Sequence, residues 1–270
     1  MKAGWKKWLL AVLFLMVSVT ALQMLIQERS EASVLKADSC EQSGFRRQQL
    51  KPGLYEKILS LSEGKGNFAD ILTSTMLQGK FTPDTVSCEN EPYLKYKREE
   101  YYLLRSRYEA VWSDLVYFPI PSQDIFFEDS FGEPREYGGK RVHEGTDLFG
   151  TTEESGYYPI LSMTDGVVEK KGWLPLGGYR IGIRSPHGGY FYYAHLSDYE
   201  KEFSIGEEVK AGDILGYMGN TGYGPEGTMG QFPVHLHLGI YIKTPHHEEL
   251  SVDPYWILRA VRKNIRKYRY

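Results

Sequence analysis

Cysteine is scarce in this chain of 270 residues: there are two, Cys40 and Cys88. They are too far apart for a Cys-x-x-Cys pair, which excludes a thiolate zinc knuckle and a dithiol redox motif. An excess of one charge is also lacking. The 32 basic and 35 acidic residues leave a formal net charge of −3, so nothing in the balance points to nucleic acid. The glycine runs carry no Gly-Lys-Ser/Thr, which excludes a phosphate loop. The helical zinc signature His-Glu-x-x-His is missing as well. His143-Glu144 has Asp147 in the fifth place, and His247-Glu248 has Ser251 there. Long apolar runs are absent except for one, Trp8 to Ile26, which is uncharged and comes after Lys2, Lys6 and Lys7.

That run approaches the roughly 20 residues that span a bilayer. Residues 1–26 are therefore expected to be a single-pass membrane segment. Its lysines favour a cytoplasmic N-terminus, with the C-terminal domain outside the cytoplasm. A cleaved signal segment competes, since Val19-Thr-Ala21 has small residues at cleavage spacing, and would leave the protein secreted. The apolar run continues past Ala21 to Ile26, which favours the uncleaved anchor.

The chain as a whole has the composition of a globular protein, long enough for one or two domains and a sizeable core. Residues 27–50 are polar and read as a stalk. Residues 51–117 read as a small helical domain. Leu54, Ile58 and Leu61 recur at helical spacing, as do Phe68, Ile71, Leu72 and Met76 after a break at Gly64-Lys-Gly66. Asn67 is placed to cap the second helix, and Pro92 to open a third that runs to about Trp112. This domain carries no evident chemistry and could meet wall-synthesis or division partners. Cys40 and Cys88 bracket its first two helices. Outside the cytosol they are expected to form a disulfide, which would contribute on the order of 4 kcal/mol in the chain-entropy view.

Pro119 and Pro121 end the helical texture. Beyond them, segments 157–163 and 167–173 flank Thr164-Asp165-Gly166, a hairpin signal. Segments 179–184 and 190–196 flank the turn Ser185-Pro-His-Gly-Gly189. The expected class is α+β, with the helical domain followed by a mainly antiparallel β-sheet domain over 121–258. A basic tail, 259–270, closes the chain. It is either a docked terminal helix or a patch attracted to anionic wall polymers or lipid.

Two short runs stand out within the β region. The first is Arg141-Val-His143-Glu-Gly-Thr-Asp147, the second Pro233-Val-His235-Leu-His237-Leu-Gly239. In a strand, His235 and His237 share a face. A straight strand would hold His143 and Asp147 roughly 13 Å apart, at about 3.3 Å per residue. Ligands of one zinc ion bond at about 2.0–2.2 Å, so the chain must bend between them. Gly145 permits a strand, bend and strand. Three histidines and a carboxylate suit a metal site with an open position.

These residues, with Tyr193-Ala-His195-Leu, resemble the lysostaphin-type zinc metallopeptidases, which cut peptide bonds in bacterial peptidoglycan. The likeness covers about 121–258. It takes in Asp129-Ser-Phe-Gly132 with Arg135, Asp165-Gly-Val-Val168, Asn220-Thr-Gly222 and Val252-Asp-Pro254. It implies a catalytic groove holding one Zn2+ ion on His143, Asp147 and His237, with His195 and His235 as catalytic groups. It implies endopeptidase action on peptidoglycan crosslinks or stem peptides by attack of zinc-bound water, in cell-wall remodelling. Tyr193, Asn220 and Phe232 are expected to meet substrate. The segment Tyr223 to Pro233 is longer than the family's usual turn. A peptidase-like scaffold that binds peptidoglycan or activates another hydrolase is the alternative, and the intact ligand set argues against it.

Overall fold

The structure, a computed structural model, describes residues 2–62, 67–136 and 139–267. The Gly64-Lys-Gly66 break and the last three residues of the basic tail lie outside them. The N-terminal run forms helix α1 (Lys2–Ala32). Its segment Trp5–Ala32, 28 residues that include an 18-residue stretch of mean hydropathy 2.5, is long and apolar enough to cross a membrane. The helix continues past Ile26, and Glu28 near its end pairs with Lys95 at 2.7 Å.

Residues 33–50 do not form a free stalk. Leu35, Phe45 and Leu50 are fully buried around the short helix α2 (Ser43–Arg46). Trp112 Nε1 donates to Gln48 Oε1 at 2.7 Å. A few apolar residues among polar neighbours carry this packing, which is why composition alone hides it. The expected disulfide is not formed. Cys40 is buried, Cys88 is exposed, and both are free thiols. One sulfur faces the core and the other faces solvent.

Next come helices α3 (Pro52–Ser62), α4 (Phe68–Gln78), α5 (Glu91–Tyr96) and α6 (Arg98–Trp112). The single third helix expected from Pro92 is two, separated at Lys97, whose φ of −145° is not helical. Asn67 occupies the cap position of α4 but makes no side-chain cap bond. Along α6, Tyr101, Leu104, Tyr108 and Val111 are buried, the spacing of one helix face.

The strands are β1 (Phe126–Phe127), β2 (Pro134–Arg135), β3 (Arg141–Val142), β4 (Thr146–Phe149), β5 (Pro159–Leu161) and β6 (Gly166–Leu174). They continue with β7 (Gly178–Arg184), β8 (Tyr190–Tyr199), β9 (Glu208–Val209), β10 (Ile214–Met218), β11 (Leu236–Ile242) and β12 (Leu250–Val252). The main sheet runs β1-β4-β11-β8-β7-β6-β9, with β10 joining β5 and β8, and β12 on β11. Every pairing is antiparallel. The hairpin expected at Ser185–Gly189 forms between β7 and β8. The one expected around Asp165-Gly166 does not, because β5 pairs with β10 and β6 with β7 and β9.

One buried cluster runs from Leu35 and Trp112 of the helical part to Phe191 and Leu238 of the sheet. Helix α7 (Tyr255–Val261) buries Ile257, Leu258 and Val261. The tail beyond it docks. Arg262 donates to the carbonyls of Ser122, Gln123 and Ile125, and Lys263 pairs with Glu56 at 3.1 Å.

Candidate active site

Strand pairing assembles the site. On adjacent strands, Asp147 of β4 lies opposite His237 of β11, and His237 opposite Ala194 of β8. The chain leaves β3 after Val142, bends at Gly145 and enters β4 at Thr146. That bend returns His143 to Asp147. His143 Nε2 is 3.1 Å from Asp147 Oδ1 and 3.0 Å from His237 Nδ1, and the last two atoms are 2.9 Å apart. Three donor atoms thus form a triangle with edges of about 3 Å, and the three residues are the group among those described that could hold a metal ion. An ion bonded at 2.0–2.2 Å reaches all three corners from above the triangle, and two imidazoles with one carboxylate match a zinc donor set. The residues therefore fit the metal.

Neighbours orient this set. The Nδ1 of His143 lies 2.8 Å from Arg135 Nη2, which can only donate, 3.0 Å from Ser130 Oγ and 3.2 Å from the Ser130 carbonyl oxygen. In the tautomer that donates Nδ1–H to the Ser130 carbonyl, which a bound metal would favour, Nε2 presents its lone pair to the metal position. Arg135 Nη2 donates to the other oxygen of Asp147 at 2.8 Å. Burial pushes the Asp147 carboxyl up, but hydrogen bonds from His143 and His237 outweigh it and hold it well below the usual range. Asp147 is a carboxylate throughout the physiological range.

His195 reaches the site through a bulge. Between Tyr179 and Ile181 the β7–β8 ladder slips, so Arg180 faces two residues, Ala194 and His195. His195 takes φ +63°, a left-handed conformation uncommon outside glycine. In a regular strand it would share a face with Tyr193. The bulge turns it into the groove instead, with its ring 4.7 Å from His235 and 6.0 Å from His237. His195 Nδ1–H donates to the Thr221 carbonyl and His235 Nδ1–H to the Pro233 carbonyl, each at 2.8 Å. Both therefore keep Nε2 as an acceptor. Burial lowers the pKa of His235 and drives that of His195 well below the usual value. Neutral imidazoles at pH 7 are competent bases.

The groove around these side chains encloses about 910 Å³. Phe232 lines it, its ring 4.5 Å from that of His195. Tyr193 does not. It is fully buried on the core side, where Met163 N–H donates to its hydroxyl at 2.9 Å. The tyrosine in the groove is its neighbour Tyr192, whose ring is 6.0 Å from His237. Strand alternation counted from His195 points to Tyr193 instead, and only the bulge puts Tyr192 on the groove side. Asn220 is not among the lining residues; its carbonyl accepts from Gly230 N–H at 3.2 Å, and the next residue, Thr221, holds His195. Arg135 and Arg180 also stand on the groove wall; Arg135 enters the family likeness without an assigned role, and Arg180 carried no sequence signal.

Residues 141–254 match Peptidase family M23. A solved structure from Ruminococcus gnavus, named for the glycyl-glycine endopeptidase lytM, superposes with a TM-score of 0.71 at 41% identity. It covers 86% of this chain and 94% of that one, so the likeness takes in helices as well as sheet. An L-Ala--D-Glu endopeptidase of Bacillus subtilis is 45% identical over 146 residues, 53% of this chain and 43% of its own length. Glycyl-glycine endopeptidase ALE-1 of Staphylococcus capitis is 35% identical over 83 residues, 30% of this chain and 21% of its own length. The matches thus span less than half the length of these two curated relatives.

Proposed function

The chain belongs to peptidase family M23, and from that premise we propose that it is a zinc-dependent endopeptidase acting on peptidoglycan outside the cytoplasm. The observation that carries this reading is the convergence of His143, Asp147 and His237 on one point, with His195 and His235 beside it. His143 Nε2, Asp147 Oδ1 and His237 Nδ1 would hold a single zinc ion. When bound, zinc lowers the pKa of water to about 7 and polarises a carbonyl oxygen.

The chain's own groups supply positioning and proton transfer. His235 Nε2 lies 3.7 Å from Asp147 Oδ1, next to the metal position. It accepts the proton of the attacking water and returns it to the leaving amine. Its Nδ1–H bond to the Pro233 carbonyl fixes the ring for both transfers. His195, held by Thr221 across the groove, flanks the reacting carbonyl. Phe232 packs against both rings and excludes water from them. Helix α1 anchors the enzyme in the membrane, so that the groove addresses the wall.

The similarity to an L-Ala--D-Glu endopeptidase supports a bond within the peptide stem as the target. The test is a digest by the full-length chain of isolated peptidoglycan, with and without a zinc chelator, read by mass spectrometry. New chelator-sensitive peptide ends are expected. No new ends from the zinc-loaded protein would overturn the peptidase reading and leave a scaffold.

A further inference from the structure

Four cationic side chains line the groove: Arg135, Arg141, Lys170 and Arg180. Arg135 pairs with Asp147, Lys170 with Glu249, and Arg141 donates to Tyr223 Oη. Arg180 differs. Its Nη1 is buried and finds no hydrogen-bond partner among the described residues. No carboxylate among those residues pairs with it either. Its charge acts on the phenols of Tyr190, Tyr192 and Tyr199. Burial pushes the Tyr192 phenol up to about 12, so it brings no negative charge. A buried guanidinium edge without an acceptor is rare in proteins and calls for one. Nη1 itself is covered, but the side chain is only partly buried and lines the groove, where a substrate can supply an acceptor to the rest of the guanidinium.

The sheet places this cation relative to the chemistry. His237 on β11 lies opposite Ala194 on β8, and Arg180 on β7 faces the Ala194–His195 bulge from the other side. Arg180 is thus two strands from His237, roughly 10 Å at about 4.8 Å per strand. Ala194, whose side chain is a single methyl group, lies between them on β8. A peptide bond presented to the metal triangle can therefore extend an adjoining side chain over Ala194 towards Arg180. The planar guanidinium fork matches a carboxylate and binds it with two charge-assisted hydrogen bonds.

We propose that Arg180 is a specificity-determining residue that receives a free carboxylate on the residue next to the scissile bond, so that the groove selects acidic peptide stems over neutral glycyl bridges. This rests on the peptidase reading. A D-Glu residue has two carboxyl groups. Whichever one continues the chain, the other remains free beside an L-Ala–D-Glu bond. A glycyl–glycine bond has no such group.

The experiment compares two synthetic stem peptides, one with the free carboxylate on the residue after L-Ala and one with a carboxamide there. Wild type, Arg180→Gln and Arg180→Lys, each as the full chain loaded with zinc, are assayed on both. Zinc content and melting temperature are recorded for each. Wild type is expected to prefer the carboxylate by at least about tenfold in kcat/KM, the scale of a charge-assisted hydrogen bond. In Arg180→Gln that ratio falls towards one. Arg180→Lys, which keeps the charge without the fork, restores part of it. A wild type that cleaves both peptides equally overturns the proposal, as does an Arg180→Gln variant that retains the ratio. A wild type that cleaves neither these peptides nor peptidoglycan overturns the peptidase reading itself, and this inference with it.

Discussion

Gly145 lies against the ring of His237. A Cβ built on it would stand 2.7 Å from both Cε1 and Nε2 of that ring and 2.4 Å from the Leu238 carbonyl oxygen. The glycine is therefore required for space more than for an unusual backbone angle, since its φ lies outside the left-handed region. Gly145→Ala must push β4 from β11 or turn the His237 ring. Either movement breaks the 2.9 Å approach of His237 Nδ1 to Asp147 Oδ1. The variant is expected to bind zinc at least tenfold more weakly, as read by competition with a chromophoric chelator. Unchanged affinity would show that the contact relaxes at no cost.

His235 and His195 are separable from the metal donors. His235→Ala is expected to retain zinc while losing turnover by about 10²–10⁴-fold, the usual worth of a general base. On the proposed roles, in which His195 flanks the carbonyl and His235 carries the proton, His195→Ala keeps zinc as well and loses less. A larger loss in His195→Ala than in His235→Ala would exchange their roles.

Arg135 is placed to act on a bound metal through Asp147. Its Nη2 fixes the carboxylate oxygen that the metal position does not use. Arg135→Met is expected to lower zinc affinity by about 10–100-fold, the range for groups that orient metal ligands. Equilibrium dialysis measures it. An affinity equal to wild type would remove Arg135 from this role.

Asp253 ties the N-terminal segment to the sheet domain and makes stability depend on pH. Its backbone N–H donates to the Arg46 carbonyl at 2.8 Å, and its Oδ1 accepts from Tyr255 N–H at 2.9 Å. Burial, reinforced by the charge of Asp129, pushes its carboxyl up to about 7 against the opposing pull of Arg47. The unfolded chain titrates this group near 3.8. Between those values the folded state holds more protons, so stability is highest below the lower value and falls as pH rises through the window. Asp253→Asn keeps the acceptor for Tyr255 and removes the titration. It is expected to be more stable than wild type at pH 8, by on the order of a few kcal/mol, with the difference shrinking towards pH 4. Urea unfolding at both pH values measures this. A constant difference between the two proteins would contradict the assignment.

Local periodicity was legible in the sequence, and non-local pairing was not. The alternation that puts His235 and His237 on one face, and the need for a bend between His143 and Asp147, come from strand geometry. The β7–β8 hairpin comes from its turn. Tyr193 was misplaced because a regular strand puts Tyr193 and His195 on one face, and the bulge that separates them depends on β7. The strand at Pro159–Leu161 pairs with β10, more than 50 residues away, and no local signal announces that. Leu35, Phe45 and Leu50 are few among polar neighbours, so the segment they anchor resembled a stalk. That Arg180 lacks a partner is a property of the assembled groove alone.

The most direct test of the metal assignment is the zinc content of the full-length chain beside that of His237→Ala. Each is purified in the presence of zinc, dialysed, and read by elemental analysis together with chelator-sensitive cleavage of peptidoglycan. The account predicts one zinc per wild-type chain with cleavage, and in His237→Ala the loss of both. Equal zinc in the two proteins, or cleavage that survives in the variant, would contradict it.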